Sequence, residues 1–277
     1  SLNNYVYMNN NINHMKKLIL VFLLLHLSTH SQENDKYYFR MHYLDVSGNV
    51  GAFIKANKEY FKLLAKEDVK NGKWAGWSML RSIREPSKFI FVHHFNSSKQ
   101  LENIYSNGGL FSRETAKKLG LKNPDWSEWS WKVFKPYEIW ERNGFVVDDE
   151  PSKFFILNHF KFKNKKKFIE NNRLWGKMVV KPQLKDRNGF SWGCATILSY
   201  GEWDNGSWKS YNGMSWDGFG SLSEIIDGWS YNENETIDDS AKYWKAFSDA
   251  IKKNDLGDVM IAKQSEIYEH IDSTWMN

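Results

Sequence analysis

Cysteine is almost absent from this sequence, since Cys194 is the only one in 277 residues. A single cysteine cannot form an intramolecular disulfide, so the fold has to be stabilised by its hydrophobic core. Cys194 lies between Gly193 and Ala195 in an apolar segment. At such a position we expect a small buried hydrophobic residue and not a nucleophile.

Familiar catalytic and metal-binding motifs are also missing. The sequence contains no HExxH, CxxC, EF-hand or P-loop pattern, which argues against a zinc protease, a dithiol redox protein, a calcium-loop protein and a nucleotide-binding enzyme. His93 and His94 are adjacent. Adjacent side chains of a strand point to opposite faces, so these two cannot bind one metal ion together. We therefore predict no metal site.

Long apolar runs are scarce, and the one that stands out extends from Leu18 to Leu27 after two lysines. It is too short to cross a membrane, which takes roughly 20 residues, but the pattern is typical of a signal peptide that ends near Ser31. We assign residues 1–31 to upstream residues and a signal peptide. The mature protein is then expected in the periplasm or outside the cell, without a membrane span.

A concentrated basic surface is lacking as well. The chain has a net charge of +5, and the loss of residues 1–31 removes Lys16 and Lys17 but no acidic residue. The remaining chain is close to neutral, and its short basic run at 161–167 falls at a predicted strand-to-helix turn. We therefore expect no nucleic-acid partner.

The sequence contains an internal repeat. FIKANKEY at 53–60 matches FIENNRLW at 168–175, and the same offset of 115 residues places Trp77 on Trp192. A match over this distance indicates one structural unit that is used twice. The two tryptophans are expected to pack in the core of their repeats.

Each repeat is predicted to have the element order βαββαβ of a ferredoxin-like unit, which makes the fold class α+β. The first repeat spans 36–143 and the second 152–271, and the acids and proline between them are typical of a linker. Alternation and helical spacing of apolar residues define the elements. The predicted strands cover 37–45, 73–83, 89–95 and 131–141 in the first repeat, and 154–162, 190–200, 208–216 and 259–270 in the second.

A four-stranded sheet with both helices on one face leaves its other face bare, and the second repeat can cover it. With the duplication, the segments VKNGKWAGW at 69–77 and FIFVHHF at 89–95 resemble the dimeric α/β-barrel superfamily, and its exported members in particular. From this resemblance we expect two tandem ferredoxin-like repeats packed sheet to sheet as a pseudo-dimeric α/β barrel with a shared cavity. One chain then supplies both halves, so we expect a monomer.

The resemblance implies two chemistries for that cavity. One is the oxidation or isomerisation of a small aromatic molecule without a cofactor, and the other is haem binding through an axial histidine. His42 is the first candidate for a ligand or a general base. Arg40 lies two positions before it on the same strand face, where it could hold an anionic group of a substrate.

Strand alternation predicts which side chains face the cavity. We assign the apolar set of the first strand to the helices and the other set to the cavity. The first set is Phe39, Met41 and Tyr43, and the second is Tyr38, Arg40 and His42. The repeat offset of 115 aligns His159 with Leu44, which lies on the same predicted face as His42. His159 is therefore also expected to face the cavity. Glu138 and Glu266 match each other on the last strands, where they are either site residues or edge charges.

An aromatic cluster follows in a segment rich in glycine and asparagine, at 201–220. Its members are Trp203, Trp208, Tyr211, Trp216 and Phe219. Exposed aromatics of this kind stack on sugars or flat ligands, but a loop that closes the barrel would use the same residues. Tyr38, Trp208 and Trp216 are the candidate ligand-binding residues.

Two functions remain open. The first is an exported protein, without defined catalysis, that binds a small hydrophobic or aromatic molecule or a glycan. The absence of the zinc-protease, redox, calcium-loop and nucleotide-binding motifs favours it. The second is a small-molecule enzyme, either cofactor-free and monooxygenase- or isomerase-like or haem-dependent, that uses the barrel cavity.

Overall fold

A computed structural model of the chain describes residues 36–106, 111–147, 150–184, 189–200, 211–229 and 237–276. The predicted signal peptide and Trp208 lie outside these residues. Within the described ranges, no helix has both the length and the apolar character that crossing a bilayer takes.

The two repeats have the same succession of strands and helices. The first contains β1 (Tyr37–Gly48), α1 (Val50–Ala56), α2 (Lys62–Lys70), β2 (Gly76–Ser82), β3 (Lys88–Phe95), α3 (Ser98–Ser106), α4 (Arg113–Lys118) and β4 (Trp129–Val147). The second contains β5 (Phe154–Phe162), α5 (Lys165–Trp175), α6 (Lys181–Gln183), β6 (Ser191–Tyr200), β7 (Gly213–Phe219), α7 (Leu222–Trp229), α8 (Ile237–Lys253) and β8 (Met260–Ser273). Short π-helical turns at Asn57–Phe61 and Gly176–Val180 join α1 to α2 and α5 to α6.

The eight strands form one closed barrel in the order β1-β3-β2-β8-β5-β7-β6-β4. Each repeat contributes four neighbouring strands in the order that a ferredoxin-like unit has, and the pairs β2–β8 and β4–β6 join the two sheets. Closure leaves no unpaired sheet edge. The predicted fold, two ferredoxin-like repeats in a pseudo-dimeric barrel, is confirmed.

All neighbouring strands are antiparallel, so β1 and β5, four steps apart around the barrel, run in the same direction. Equivalent strands of the two repeats therefore begin at the same end of the barrel. We call the end where β1 and β5 begin the first mouth, and the end where they finish the second mouth.

Each strand has one inner and one outer face, and in β1 both faces carry buried side chains. In β1, the inner side chains Phe39, Met41 and Tyr43 pack in a cluster with residues from the opposite side of the barrel, such as Leu157 and Met214. The outer face of the same sheet packs against the helices in a separate cluster. The sheet therefore lies between two apolar layers.

The predicted orientation of the first strand is wrong. Tyr38 packs in the helix-side cluster, and Arg40 and His42 share its face because side chains alternate along a strand. In a closed barrel the inner face needs as much apolar bulk as the outer face. The more apolar set of side chains therefore does not identify the helix side.

The helix that follows the first strand is built alike in both repeats. The side chain of Asn49 caps α1 by accepting a hydrogen bond from the backbone amide of Ala52, and that of Asn164 caps α5 by accepting one from Lys167. Each cap satisfies a backbone donor of the first helical turn. Asn57 donates to the Phe53 carbonyl at 2.8 Å, and Asn172 donates to the Phe168 carbonyl at 2.9 Å.

Phe53 and Phe168 pack on their sheets, as do Trp77 and Trp192, which are 0% and 2% exposed. The predicted core role of the two tryptophans is confirmed.

One glycine in β6 makes room for a cavity residue. Gly193 pairs with Trp216 of β7, and a Cβ atom at Gly193 would lie 2.0 Å from the indole ring of Trp216. An alanine has to displace this ring, so we expect Gly193→Ala to lower the free energy of unfolding by about 1–3 kcal/mol in urea titrations. Gly257→Ala is the control, because nothing lies within 4 Å of its Cβ position. Equal stability of the two variants would contradict this packing.

Candidate functional site

The barrel interior contains a cavity of about 420 Å³ towards the first mouth. Its walls are apolar for most of its depth, with Phe39, Leu80 and Trp216 among them, and Met41 and Leu157 line it further in. This size is at the lower end of the range for small-molecule sites. We call this space the barrel cavity.

Two histidines line the barrel cavity and are held neutral. Burial, together with the positive charge of Arg142, lowers the pKa of His94 to about 3. Burial also lowers the pKa of His270. Each ring has one nitrogen in a hydrogen bond: His94 Nε2 lies 3.2 Å from Ser78 Oγ, and His270 Nδ1 lies 3.0 Å from the Ser152 carbonyl. The other nitrogen of each ring has no partner among the described residues.

A buried charge cluster lies deeper in the barrel, towards the second mouth. Glu138 is 0% exposed and lies 2.7 Å from Lys135 Nζ. It accepts hydrogen bonds from the hydroxyls of Tyr43, at 2.5 Å, and Tyr211, and from Trp140 Nε1 at 3.2 Å. Burial lowers the pKa of Lys135. The same burial, together with Glu138, raises the pKa of Tyr43 well above its usual value. We call these five residues the Glu138 cluster.

The Glu138 cluster is separated from the barrel cavity by Met41. This side chain lines the cavity, and its Sδ atom lies 3.6 Å from the Tyr43 hydroxyl. Both carboxylate oxygens of Glu138 already have donors. The cluster therefore stabilises the barrel, and Glu138 is not an edge charge. Its counterpart Glu266 is half-buried and accepts from the Ser82 and Tyr268 hydroxyls at 2.8 and 3.0 Å.

His159 faces the interior, as predicted. Its ring lies 4.3 Å from the Tyr211 ring between centroids, and it is 6% exposed. Burial lowers its pKa to about 4, with a further contribution from Lys135. His159 lies on the opposite face of the sheet from His42, so the two histidines do not share one chamber.

A second space, of about 320 Å³, lies on the outer face of the first repeat, between the sheet and the helices. We call it the outer pocket. Its walls are mostly aromatic, and its polar side chains are His42, Asn57 and His93. The other lining residues are Leu44, Phe53, Phe61, Trp77, Phe91, Phe111, Trp126, Trp129, Trp131 and Val133.

The two histidines of the outer pocket are neutral and incompletely hydrogen-bonded. Their rings meet edge to face with centroids 5.1 Å apart. Burial lowers the pKa of His42 to about 3, with Arg40 adding to the effect, and it places the pKa of His93 well below its usual range. His42 Nε2, His93 Nδ1 and the Nε1 atom of Trp77 have no hydrogen-bond partner among the described residues.

The structure thus divides the predicted site residues between two places. The side chains on the outer face of the sheet are His42, Arg40 and Tyr38. Those that point into the barrel interior are His159, Glu138, Glu266 and Trp216. Trp216 is part of β7 and lines the barrel cavity, which agrees with the alternative of a segment that closes the barrel and not with that of an exposed loop. Tyr211 is buried too, at 3% exposure.

Several residues of these sites were not predicted from the sequence. His93, Arg142 and Lys135 are the main ones, and Tyr211 was predicted only as a member of the aromatic cluster. Lys135 and Glu138 are three positions apart in β4, a spacing that puts side chains of a regular strand on opposite faces. They meet because the register between β1 and β4 shifts between Met41 and Tyr43. The place of Tyr211 beside Glu138 had no local signal, because the two are far apart in sequence.

Cys194 is fully buried, and burial raises the pKa of its thiol to about 12. The thiol is therefore protonated at neutral pH and a poor nucleophile. Among the described residues, no group of three or more His, Cys, Asp or Glu side chains is arranged to hold a metal ion.

No protein-family model and no curated protein sequence matches the chain. Several solved structures do. A candidate monooxygenase from Lactobacillus acidophilus has a TM-score of 0.51 and 9% identity, with 86% of this chain and 96% of that protein covered. A candidate monooxygenase from Fusobacterium nucleatum has a TM-score of 0.48 and 10% identity, with 87% and 94% covered. An anthrone oxidase-like protein has a TM-score of 0.47 and 11% identity, with 88% and 96% covered.

At identities this low the likeness concerns the fold and not the function. The first of these structures agrees with this chain over nearly its whole length, and the strand order of the barrel is that of two joined ferredoxin-like units. The chain therefore has the dimeric α/β-barrel fold, with both halves in one polypeptide.

Proposed function

We propose that the protein binds a small, uncharged, planar aromatic molecule with a hydroxyl group in the outer pocket of the first repeat. The observation that carries the proposal is a set of buried ring nitrogens without partners around an aromatic-walled space. The nitrogens belong to His42, His93 and Trp77. Buried polar atoms in proteins nearly always have a hydrogen-bond partner, and a bound ligand is one way to provide it.

The second repeat provides an internal comparison. His42 pairs with Phe91 in β1–β3, and Asn158 occupies the corresponding place in β5–β7, opposite Ser215. By the same register, Asp217 corresponds to His93. Asn158 Nδ2 donates to Asp217 Oδ2 at 2.7 Å and lies 3.4 Å from Ser215 Oγ. The polar groups of the second repeat satisfy one another, so this face of the fold does not by itself require unpartnered groups.

The chemistry of the ligand follows from the nitrogens. The backbone of Arg40 hydrogen-bonds the His93 ring and favours its protonated form, so a carbonyl accepts from the ring and the unpartnered Nδ1 atom is an acceptor. Trp77 Nε1 can only donate. A hydroxyl group meets both needs. Among the described residues that line the outer pocket none is charged, which favours an uncharged molecule, and the aromatic walls favour a planar one.

The pKa values favour binding over acid–base catalysis. A general base works best when its pKa lies near the operating pH. The pKa of His42 is lowered to about 3 and that of His159 to about 4. At pH 7 both imidazoles accept hydrogen bonds but are weak bases. The enzyme alternative would therefore need a base other than these two histidines.

The outer pocket fits haem poorly. His42 Nε2 is a neutral imidazole nitrogen of the kind that binds haem iron. The pocket volume of about 320 Å³ is at the lower limit for drug-sized ligands, and a haem is larger than most of these. The His93 ring, 5.1 Å away, also occupies part of the space beside His42. A bicyclic aromatic molecule fits these dimensions better.

Calorimetric titration with 1-naphthol tests the proposal. We expect saturable binding at one site in the outer pocket, which His93→Leu and His42→Leu each weaken at least fivefold, because an unmet hydrogen bond costs about 1–3 kcal/mol. His159→Leu is the matched control, since it removes an interior histidine, and it should leave the affinity for 1-naphthol unchanged. 1-Methoxynaphthalene cannot donate a hydrogen bond and should bind more weakly than 1-naphthol.

Two results would overturn the proposal. One is no binding of 1-naphthol to the wild-type chain. The other is equal binding of 1-naphthol to folded His93→Leu, His42→Leu and wild-type protein. Thermal unfolding of each variant establishes that it is folded before it is titrated.

A further inference from the structure

We infer that the barrel cavity is a second binding site, independent of the outer pocket, and that it takes an aromatic carboxylate whose anionic group contacts Arg142. The two sites lie on opposite faces of the first-repeat sheet. They also differ in charge, since a cation lines the barrel cavity, whereas the part of the outer pocket's lining that the structure describes contains no charged side chain.

Arg142 carries a charge that no carboxylate among the described residues balances. Its guanidinium lies 3.9 Å from the centre of the Tyr37 ring and 4.8 Å from that of Phe145, and burial lowers its pKa. Two other buried cations are paired: Lys62 lies 2.7 Å from Asp272 and Lys135 lies 2.7 Å from Glu138. A guanidinium held between rings presents a planar set of donors that matches a carboxylate.

The opposite side of the cavity rim offers a hydrogen-bond acceptor. Arg142 of β4 pairs with Tyr37 at the start of β1. In the same way, the amide of His270 in β8 donates to the Lys153 carbonyl just before β5. Arg142 and His270 therefore occupy equivalent positions in the two repeats. His270 Nδ1 faces a carbonyl oxygen at 3.0 Å, so it carries the proton and the unpartnered Nε2 is the acceptor. A hydroxyl on the ligand would satisfy it.

The difference between Arg142 and His270 at equivalent positions is possible because the two repeats are fused in one chain. In a dimer of identical units the two equivalent positions would hold the same residue. Here one holds a cation and the other a neutral acceptor, so the rim has one side for an anion and one for a hydroxyl. Deeper in, Met41 and Leu157 line the cavity, which suits the apolar body of an aromatic ring system.

The opening of the barrel cavity is also suited to such a molecule. Phe145, Val147 and Trp275 line the cavity at the first mouth and are 42%, 51% and 55% exposed. Three large apolar side chains exposed together around a concave site are typical of a ligand entrance. The guanidinium of Arg142 lies next to Phe145 in this entrance.

Titration calorimetry with 1-naphthoate tests this inference. We expect wild-type protein to bind 1-naphthoate at least tenfold more tightly than the neutral 1-naphthamide. Arg142→Gln should weaken 1-naphthoate binding at least tenfold, and Arg142→Lys, which keeps the charge but not the planar donors, should weaken it less. Arg113→Gln is the matched control: it removes an exposed arginine from α4 and should change the affinity less than twofold.

The same titrations separate this inference from the proposed function. His93→Leu should leave 1-naphthoate binding unchanged, and saturating 1-naphthol should not displace 1-naphthoate. The inference is wrong if 1-naphthoate does not bind, if folded Arg142→Gln binds it as tightly as wild type, or if 1-naphthol displaces it. The first two outcomes have no bearing on 1-naphthol binding in the outer pocket, which has its own variants. If 1-naphthol displaces 1-naphthoate, titration of His93→Leu with 1-naphthol shows separately whether the outer pocket binds it.

Discussion

Replacing Glu138 with alanine is expected to lower the free energy of unfolding by about 3–5 kcal/mol, because it leaves a buried charge without its partner. Lys135 lies 2.7 Å from Glu138, and their side chains are 15% and 0% exposed. The substitution also leaves the hydroxyls of Tyr43 and Tyr211 without their acceptor in the barrel interior. Urea unfolding at pH 7 measures the loss.

Glu266→Ala is the matched control for this prediction. Glu266 has the equivalent place in β8 but is half-buried, and it accepts hydrogen bonds from neutral donors only, the Ser82 and Tyr268 hydroxyls and the Gln264 side-chain amide. Its loss should therefore be smaller, about 1–2 kcal/mol. The double variant Lys135→Met/Glu138→Ala should regain part of the stability, since it removes the unpaired charge. Equal losses for the two single variants would contradict the assigned role of the Glu138 cluster.

Acid is expected to unfold the protein well above the pH at which carboxylates titrate. Burial lowers the pKa of His42 and His94 to about 3 and that of His159 to about 4, whereas an unfolded histidine titrates near 6.5. Below pH 6.5 the unfolded chain therefore binds protons that the folded chain does not. The contribution of these histidines to the free energy of unfolding is fully present above pH 6.5 and is lost as the pH decreases towards about 3.

The free energy of unfolding is expected to change steeply with pH. Each of these three histidines contributes up to about 1.4 kcal/mol per pH unit in this window, and together they contribute up to about 4 kcal/mol per unit. Urea unfolding at pH 7, 6 and 5 measures the slope. The triple variant His42→Leu/His94→Leu/His159→Leu should be much less sensitive in the same range. A wild-type protein that is as stable at pH 5 as at pH 7 would rule out buried neutral histidines.

The fold was predictable because it depends on periodic patterns that occur twice. The repeat of FIKANKEY at 168–175 fixed the two helices that begin each unit, and the strand-like runs around them fixed the order βαββαβ. What the sequence did not predict is the edge pairing of β2 with β8 and of β4 with β6. Such pairing depends on strand ends that are distant in sequence.

The faces of the strands were predicted less well, and an offset of one residue is part of the reason. The helices of the repeats correspond at an offset of 115, but on the inner face of the first strands Met41 and Tyr43 correspond to Leu157 and His159, an offset of 116. A shift of one residue moves a strand side chain to the other face. His159 was predicted on the correct face. Leu44, with which the offset of 115 aligned it, faces the helices.

The functional residues were hard to predict because their partners are remote. Glu138 could not be distinguished from an edge charge until Tyr43 and Tyr211 were seen beside it. Trp216 belongs to a glycine-rich segment that suggested an exposed loop, but those glycines include Gly213 and Gly218 within β7, where a Cβ atom would meet neighbouring side chains. Close packing, and not exposure, explains the glycines of that strand.

A crystal structure of the protein with 1-naphthol tests the central claim most directly. We expect the naphthol ring in the outer pocket, between the outer face of β1 and β3 and the helix that begins with α1, with its hydroxyl within hydrogen-bond distance of His93 Nδ1. The account would be contradicted by a structure in which His93 Nδ1 bonds to a side chain of the protein and the ligand binds elsewhere.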